Sequence, residues 1–202
     1  VYRNESALDS VTFGCYQLMA RYLQGDKPTV VGIGSGLTLK KTIKRIDFDS
    51  HNTRCVALIS AMNEHGQCNY YDDVPLLLAR KIQGKYYQWP APRYAQSSEE
   101  HEMWCSNRLF RNVCAVADAA DVIFVGIGAL GRQSPIFKDG FIDEAQLEEL
   151  TQRGGVGEIL GRFIDADGNV IDSQINRFIT SYDIRQSQCP RIAAACGEDK
   201  RP

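Results

Sequence analysis

Apolar residues recur along this chain in two alternating periods. Leu8, Val11, Cys15, Leu18, Met19 and Tyr22 fall at helical spacing and predict an amphipathic helix that stops at Gly25-Asp26-Lys27-Pro28, where glycine and proline forbid continuation. Thr29-Val30-Val31-Gly32-Ile33 then reads as a strand, Leu37 to Ile46 as a helix, Arg54 to Ile59 as a second strand, and about Asp73 to Ile82 as another helix. That alternation is βαβ order. A short strand at Lys85 to Gln88 enters the stiff Pro90-Ala91-Pro92 corner, and Ser97 with Glu100 forms a capping box. Behind that box the apolar positions Trp104, Leu109, Val113 and Val116 predict one long helix reaching Ala117.

Asp121 to Ile127 is a near-continuous apolar run ending in Gly126-Ile127-Gly128, the pattern of a central parallel strand covered on both faces. Asp143 to Gln152 reads as a helix. Glu158 to Ile164 and Val170 to Ile175 flank Asp165-Ala166-Asp167-Gly168-Asn169 and predict a hairpin, with Arg191 to Cys196 as the last strand. The expected fold class is α/β: a Rossmann-like, mostly parallel sheet with helices on both faces and one inserted β-hairpin. At 202 residues and 44% hydrophobic the chain supplies one core, so residues 1–202 are expected to form one domain. A helix should follow the last strand of an open α/β sheet, so the C-terminus at Pro202 reads as cut short.

Charge narrows the partners. With 23 Lys and Arg against 25 Asp and Glu, a net −2, and with the basic residues scattered, this segment lacks the footprint of a nucleic-acid binder. Nor does any apolar run approach the roughly 20 residues that cross a bilayer, and the polar start, Val1 to Ser6, is no signal peptide. Seven cysteines, an odd number set mostly in apolar segments, suit reduced thiols. The expected location is the cytoplasm, without contact with a membrane.

The most informative stretch is Thr29-Val30-Val31-Gly32-Ile33-Gly34-Ser35-Gly36-Leu37-Thr38. A strand that opens through glycines onto a hydroxyl and a helix start lets backbone amides approach an anion closely. Gly34, Ser35, Gly36, Leu37 and Thr38 are therefore the candidate phosphate-binding turn. Three familiar glycine motifs fail on register. The dinucleotide fingerprint wants its third glycine one place later and an acid closing the second strand, where Ile59-Ser60-Ala61-Met62 stands. No Gly-Lys-Ser or Gly-Lys-Thr occurs, and Ser35 touches both neighbouring glycines, unlike a nucleophile elbow.

In a doubly wound sheet ligands gather outside the carboxyl ends of the strands, which adds the loop from Ser60 with Asn63, the loop from Gly128, and the residues after Cys196. Glu158, just past Gly154-Gly155-Val156-Gly157, is placed at the start of a strand as an acceptor for sugar hydroxyls. No metal site is expected: His51, Cys55, His65 and Cys68 lack ligand spacing, and Asp165-Ala166-Asp167-Gly168 has its glycine too early and no closing Glu for a calcium loop. No cofactor is implied.

Val31 to Thr38, Pro90-Ala91-Pro92, Asp121 to Gly128, Ser134 to Leu150 and Gly154-Gly155-Val156-Gly157-Glu158-Ile159-Leu160-Gly161-Arg162-Phe163 together resemble the sugar-binding domain of SorC-type bacterial transcription regulators, over nearly the whole chain. The resemblance implies a fold like that of sugar-phosphate isomerases used for sensing, a phosphorylated sugar as effector, a homodimer or homotetramer, and DNA contacts only through an N-terminal helix-turn-helix domain outside this sequence. It also implies ligand contacts at Gly34 to Thr38, Glu158 and Lys200. The sequence departs from the family at Ser60-Ala61-Met62, where a glycine pair is common. An aldose-ketose phosphate isomerase or a deaminase of the same fold is the alternative. Ribose-phosphate isomerases, however, carry acids after a central strand, where this chain has Gly126-Ile127-Gly128-Ala129-Leu130, so the chain is expected to bind rather than to catalyse.

Overall fold

The computed structural model describes residues 2–63, 66–68 and 73–197, with side chains from Ala7 onward. The chain runs α1 (Tyr2–Leu23), β1 (Thr29–Ile33), α2 (Leu37–Lys44), β2 (Thr53–Ala57), α3 (Val74–Lys81), β3 (Lys85–Tyr87), α4 (Ser98–Ser106), α5 (Arg108–Asp118) and β4 (Val122–Gly126). It continues through β5 (Gly128–Ala129), α6 (Pro135–Lys138), α7 (Glu144–Gln152), β6 (Gly155–Ile159), β7 (Arg162–Asp165), α8 (Gln174–Arg177) and β8 (Arg191–Ala194). Five strands form one sheet in the order β3-β2-β1-β4-β8, all parallel. The order reverses at β1, so the crevice between the ends of β1 and β4 is the topological switch point.

Alternation along β1 explains the two-sided cover. Val31 and Ile33 pack with Met19 and Leu23 of α1, Leu39 and Ile43 of α2, and Leu78 of α3. Val30, on the opposite face, packs with Phe110, Val113 and Ala117 of α5. The expected α/β architecture with helices on both faces is what the chain adopts. A third apolar cluster, built on Ile136, Leu147, Leu150, Phe163 and Ile175, shares none of its buried residues with the other two.

Two expectations are corrected. The single helix expected from the Ser97 cap to Ala117 is broken at Asn107, whose backbone is extended at φ −63° and ψ 132°. Its side chain accepts from the N–H groups of Leu109 and Phe110; asparagine competes for backbone donors and so starts a helix better than it continues one. The hairpin also lies elsewhere. β6 and β7 pair antiparallel and turn through Leu160 and Gly161, while β5 pairs with β6 to complete a three-stranded sheet. Residues 165–169 do form a tight turn around the Asp165 carboxylate, which accepts from the Asp167 and Asn169 amides, but beyond it only Val170 bridges back, to Ile164. Glu158 thus stands inside β6, opposite Gly128, not at the head of a strand.

Candidate functional site

The switch point is built first by the turn out of β1. Gly36 is the N-cap of α2 at φ 119° and ψ 157°, a region of backbone space that is essentially glycine's alone. A Cβ there would meet nothing within 4 Å; conformation, not crowding, requires the glycine. No side chain caps α2 and no acid stands in its first turn. The opening N–H groups of a helix have no acceptor within it, and the macrodipole adds partial positive charge there.

Gly34 serves packing instead. Its N–H donates to the Phe124 carbonyl at 2.9 Å, and a Cβ would strike Leu160 Cδ2 at 2.9 Å. The sheet has already taken the amide that the sequence offered to a ligand, and the missing side chain lets the hairpin turn settle on β1.

Ser35, Gly36, Leu37 and Thr38 line a cavity of about 90 Å³ whose other walls include Arg93, Gly128, Asp139, Phe141 and Glu158. Thr38 is buried, whereas Leu37 is 53% exposed. Glu158 arrives through strand register: it sits beside Gly128, where a Cβ would lie 1.9 Å from Glu158 Oε1. Its Oε2 accepts from the Gly161 N–H at 2.7 Å, and the Tyr94 hydroxyl donates to the Gly161 carbonyl at 2.6 Å. Leu160 at φ 54° and Gly161 at φ 78° give the left-handed pair that fits the twist of a two-residue hairpin turn. Burial pushes the Tyr94 hydroxyl above its ordinary range, which keeps it a donor.

Asn63 lies in an adjoining cavity of about 470 Å³, with Gln96, Glu100, Gln146 and Gln174 among its walls. It does not line the cavity of the glycine turn, although Arg93 and Phe141 line both. Lys200 lies outside the described residues. The residue that sequence reasoning passes over is Arg93. It is 7% exposed, donates from Nη2 to the Ser60 carbonyl at 3.0 Å and stacks on Phe141 with Cζ 3.5 Å from the ring centroid. Its only signal in the sequence is its place just after the rigid Pro90-Ala91-Pro92 corner, which aims whatever follows it.

Chemically, this is a small crevice whose lining combines the amide-rich start of α2 with the carboxylates of Glu158 and Asp139. Amides suit an anion and carboxylates accept from hydroxyls. Among the described residues no group of three or more His, Cys, Asp or Glu converges as metal ligands would. Cys55 is buried in β2, with its thiol pushed up to about 12 by desolvation. Among them, too, no helix is long and apolar enough to cross a membrane.

Known proteins place this crevice in context. The chain is 27% identical over 180 residues to the erythritol catabolism regulatory protein EryD of Brucella abortus (strain 2308), covering 89% of this chain and 57% of that protein. It thus spans only about half the length of such a relative. In structure it resembles a DeoR family transcriptional regulator from Listeria monocytogenes, with a TM-score of 0.84 at 20% identity over 98% of this chain and 78% of that one. The full-length sorbitol operon regulator SorC from Klebsiella pneumoniae superposes with a TM-score of 0.78 at 18% identity over 96% of this chain and 64% of that one. The Sugar-bind family model, which describes a sugar-binding domain, matches residues 3–201. This chain belongs to the Sugar-bind family of sugar-binding domains.

Proposed function

We propose that this chain is the effector-sensing domain of a cytoplasmic bacterial transcription regulator, and that its effector is a phosphorylated sugar. The phosphate lies on the amides at the start of α2 and on Thr38, and the hydroxyls reach Glu158. Asn63 in the adjoining cavity and Lys200 complete the contacts. One observation carries this reading: an uncapped helix start at Gly36 and the anchored carboxylate of Glu158 line one and the same cavity. Charge-assisted hydrogen bonds supply the affinity. Binding biases the domain between arrangements in a homo-oligomer, and a DNA-binding domain N-terminal to this segment reports the bias.

A sugar-phosphate isomerase is the second reading, and the specific observation in its favour is that Glu158 and Asp139 both line the cavity, carboxylates that strand order alone does not bring there. Against it, Glu158 is engaged by the Gly161 N–H, and no histidine stands among the described lining residues. An enzyme of this kind needs a free base beside the sugar carbon.

Thermal-shift screening with sugar phosphates tests the proposal. A ligand at one hundred times its Kd stabilises by about 2.7 kcal/mol, which raises the Tm of a domain this size by about 5–10 °C. Gly36→Val is expected to erase that rise, because a β-branched residue cannot hold φ 119°. Stabilisation by unphosphorylated sugars alone would remove the phosphate from the proposal. Ribose and glucosamine phosphates incubated with the domain are expected to return unchanged; turnover would establish the isomerase.

A further inference from the structure

Arg93 holds a charge that the reading above leaves unused. A guanidinium 7% exposed normally faces a carboxylate or a full set of acceptors, because an unpaired charge is expensive to bury. Here a single carbonyl, that of Ser60, accepts from Nη2, the Phe141 ring covers one face, and the buried Nε–H has no hydrogen-bond partner. Among the described residues no carboxylate forms an ion pair with it. Yet Arg93 lines both cavities, and it is the one lysine or arginine among the described lining residues of either. The larger cavity beyond it offers amides and carboxylates, from Asn63, Gln96, Gln146, Glu100 and Glu149, which suit hydroxyl groups.

Arg93 therefore stands, with a buried and unpartnered Nε–H, in the wall shared by a crevice fitted for one anion and a larger space fitted for a polyol. A planar guanidinium answers a carboxylate or phosphate with paired, charge-assisted hydrogen bonds. Stacking on Phe141 fixes the plane in advance, so little side-chain freedom remains to be lost on binding. We propose that Arg93 receives a second anionic group on the effector, and that the effector is a phosphorylated sugar bearing a further carboxylate or phosphoryl group. The proposal rests on the phosphate of that sugar occupying the Gly36 turn.

Titration calorimetry with matched probes tests it: glucose 6-phosphate against 6-phosphogluconate, and fructose 6-phosphate against fructose 1,6-bisphosphate. In at least one pair the doubly anionic member is expected to bind about tenfold tighter or more, and the pair that shows it tells carboxylate from phosphate. Arg93→Gln is expected to erase that margin, costing the doubly anionic member about tenfold or more beyond any loss suffered by its monophosphate partner. Arg93→Lys, which keeps the charge but not the fork, is expected to retain part of it. Equal affinities within both pairs for the unaltered protein would overturn the proposal without recourse to a variant, as would a loss on Arg93→Gln shared equally by both members. Failure of every phosphorylated probe would instead overturn the phosphosugar reading beneath it.

Discussion

Gly128→Ala is expected to weaken sugar-phosphate binding by about tenfold to a hundredfold while the domain still unfolds in one cooperative step. The new methyl carbon would lie 1.9 Å from Glu158 Oε1 and 2.8 Å from its Cδ, far inside contact. Glu158 is the flexible member of that pair, so its carboxylate must swing away and release the Gly161 N–H. Losing that charge-assisted bond at a half-buried site removes about 1 kcal/mol of stability, a small share of what a domain of this size holds. The cavity meanwhile loses the acceptor assigned to the sugar hydroxyls. Calorimetry on Gly128→Ala, Glu158→Ala and the double variant checks this. The two changes should not add, because both act on one carboxylate. Additive losses, or unchanged affinity for Gly128→Ala, would remove Glu158 from the site.

Asn176→Ala is expected to be the most destabilising alanine substitution of a polar residue in the hairpin region, at about 2–4 kcal/mol. Asn176 is buried, accepts from the Phe163 N–H at 2.9 Å, and donates to the carbonyls of Phe163 at 2.9 Å and Ile171 at 2.8 Å. One amide thus satisfies three backbone groups beneath Phe163, whose ring centres the third apolar cluster. Alanine would leave the Phe163 N–H and the Ile171 carbonyl buried without that partner, while the Phe163 carbonyl keeps the Ile171 N–H at 3.1 Å, and each group so stranded bears most of its desolvation penalty. Urea denaturation should show a lower midpoint with an unchanged slope. A shift under about 0.5 kcal/mol, the scale of an ordinary surface substitution, would show that the hairpin tolerates the loss. Asn176→Asp, which sets a buried carboxylate oxygen against the carbonyls of Phe163 and Ile171, should cost at least as much as alanine at neutral pH.

The sequence pattern locates most of the parallel sheet because its signals are local. The run Thr29 to Ile33 is β1 to the residue, and α2 begins at Leu37 as glycine and helix chemistry require. What escapes the pattern depends on tertiary context. The apolar period runs straight through Asn107, so periodicity joins α4 to α5, and only the donors that Asn107 captures separate them. Leu160 carries no turn signature, yet it adopts φ 54° because its side chain is buried over the sheet. Asp165 to Asn169 advertises a turn so strongly that it draws the hairpin away from its true corner. At the site, the glycine turn was legible, while the pairing of Glu158 with Gly128 needed strand register. The burial of Arg93 needed the whole fold, since nothing in its residue type announces an arginine sealed from water.

The separate packing of the third apolar cluster has a mechanical consequence. Gly36 belongs to the mass built on the five-stranded sheet, and Glu158 to the antiparallel corner, whose Leu160 packs into the core of that mass. Any molecule gripped at both residues works as a rivet between two plates, and its strength is felt as stiffness across the seam even where no atom travels far.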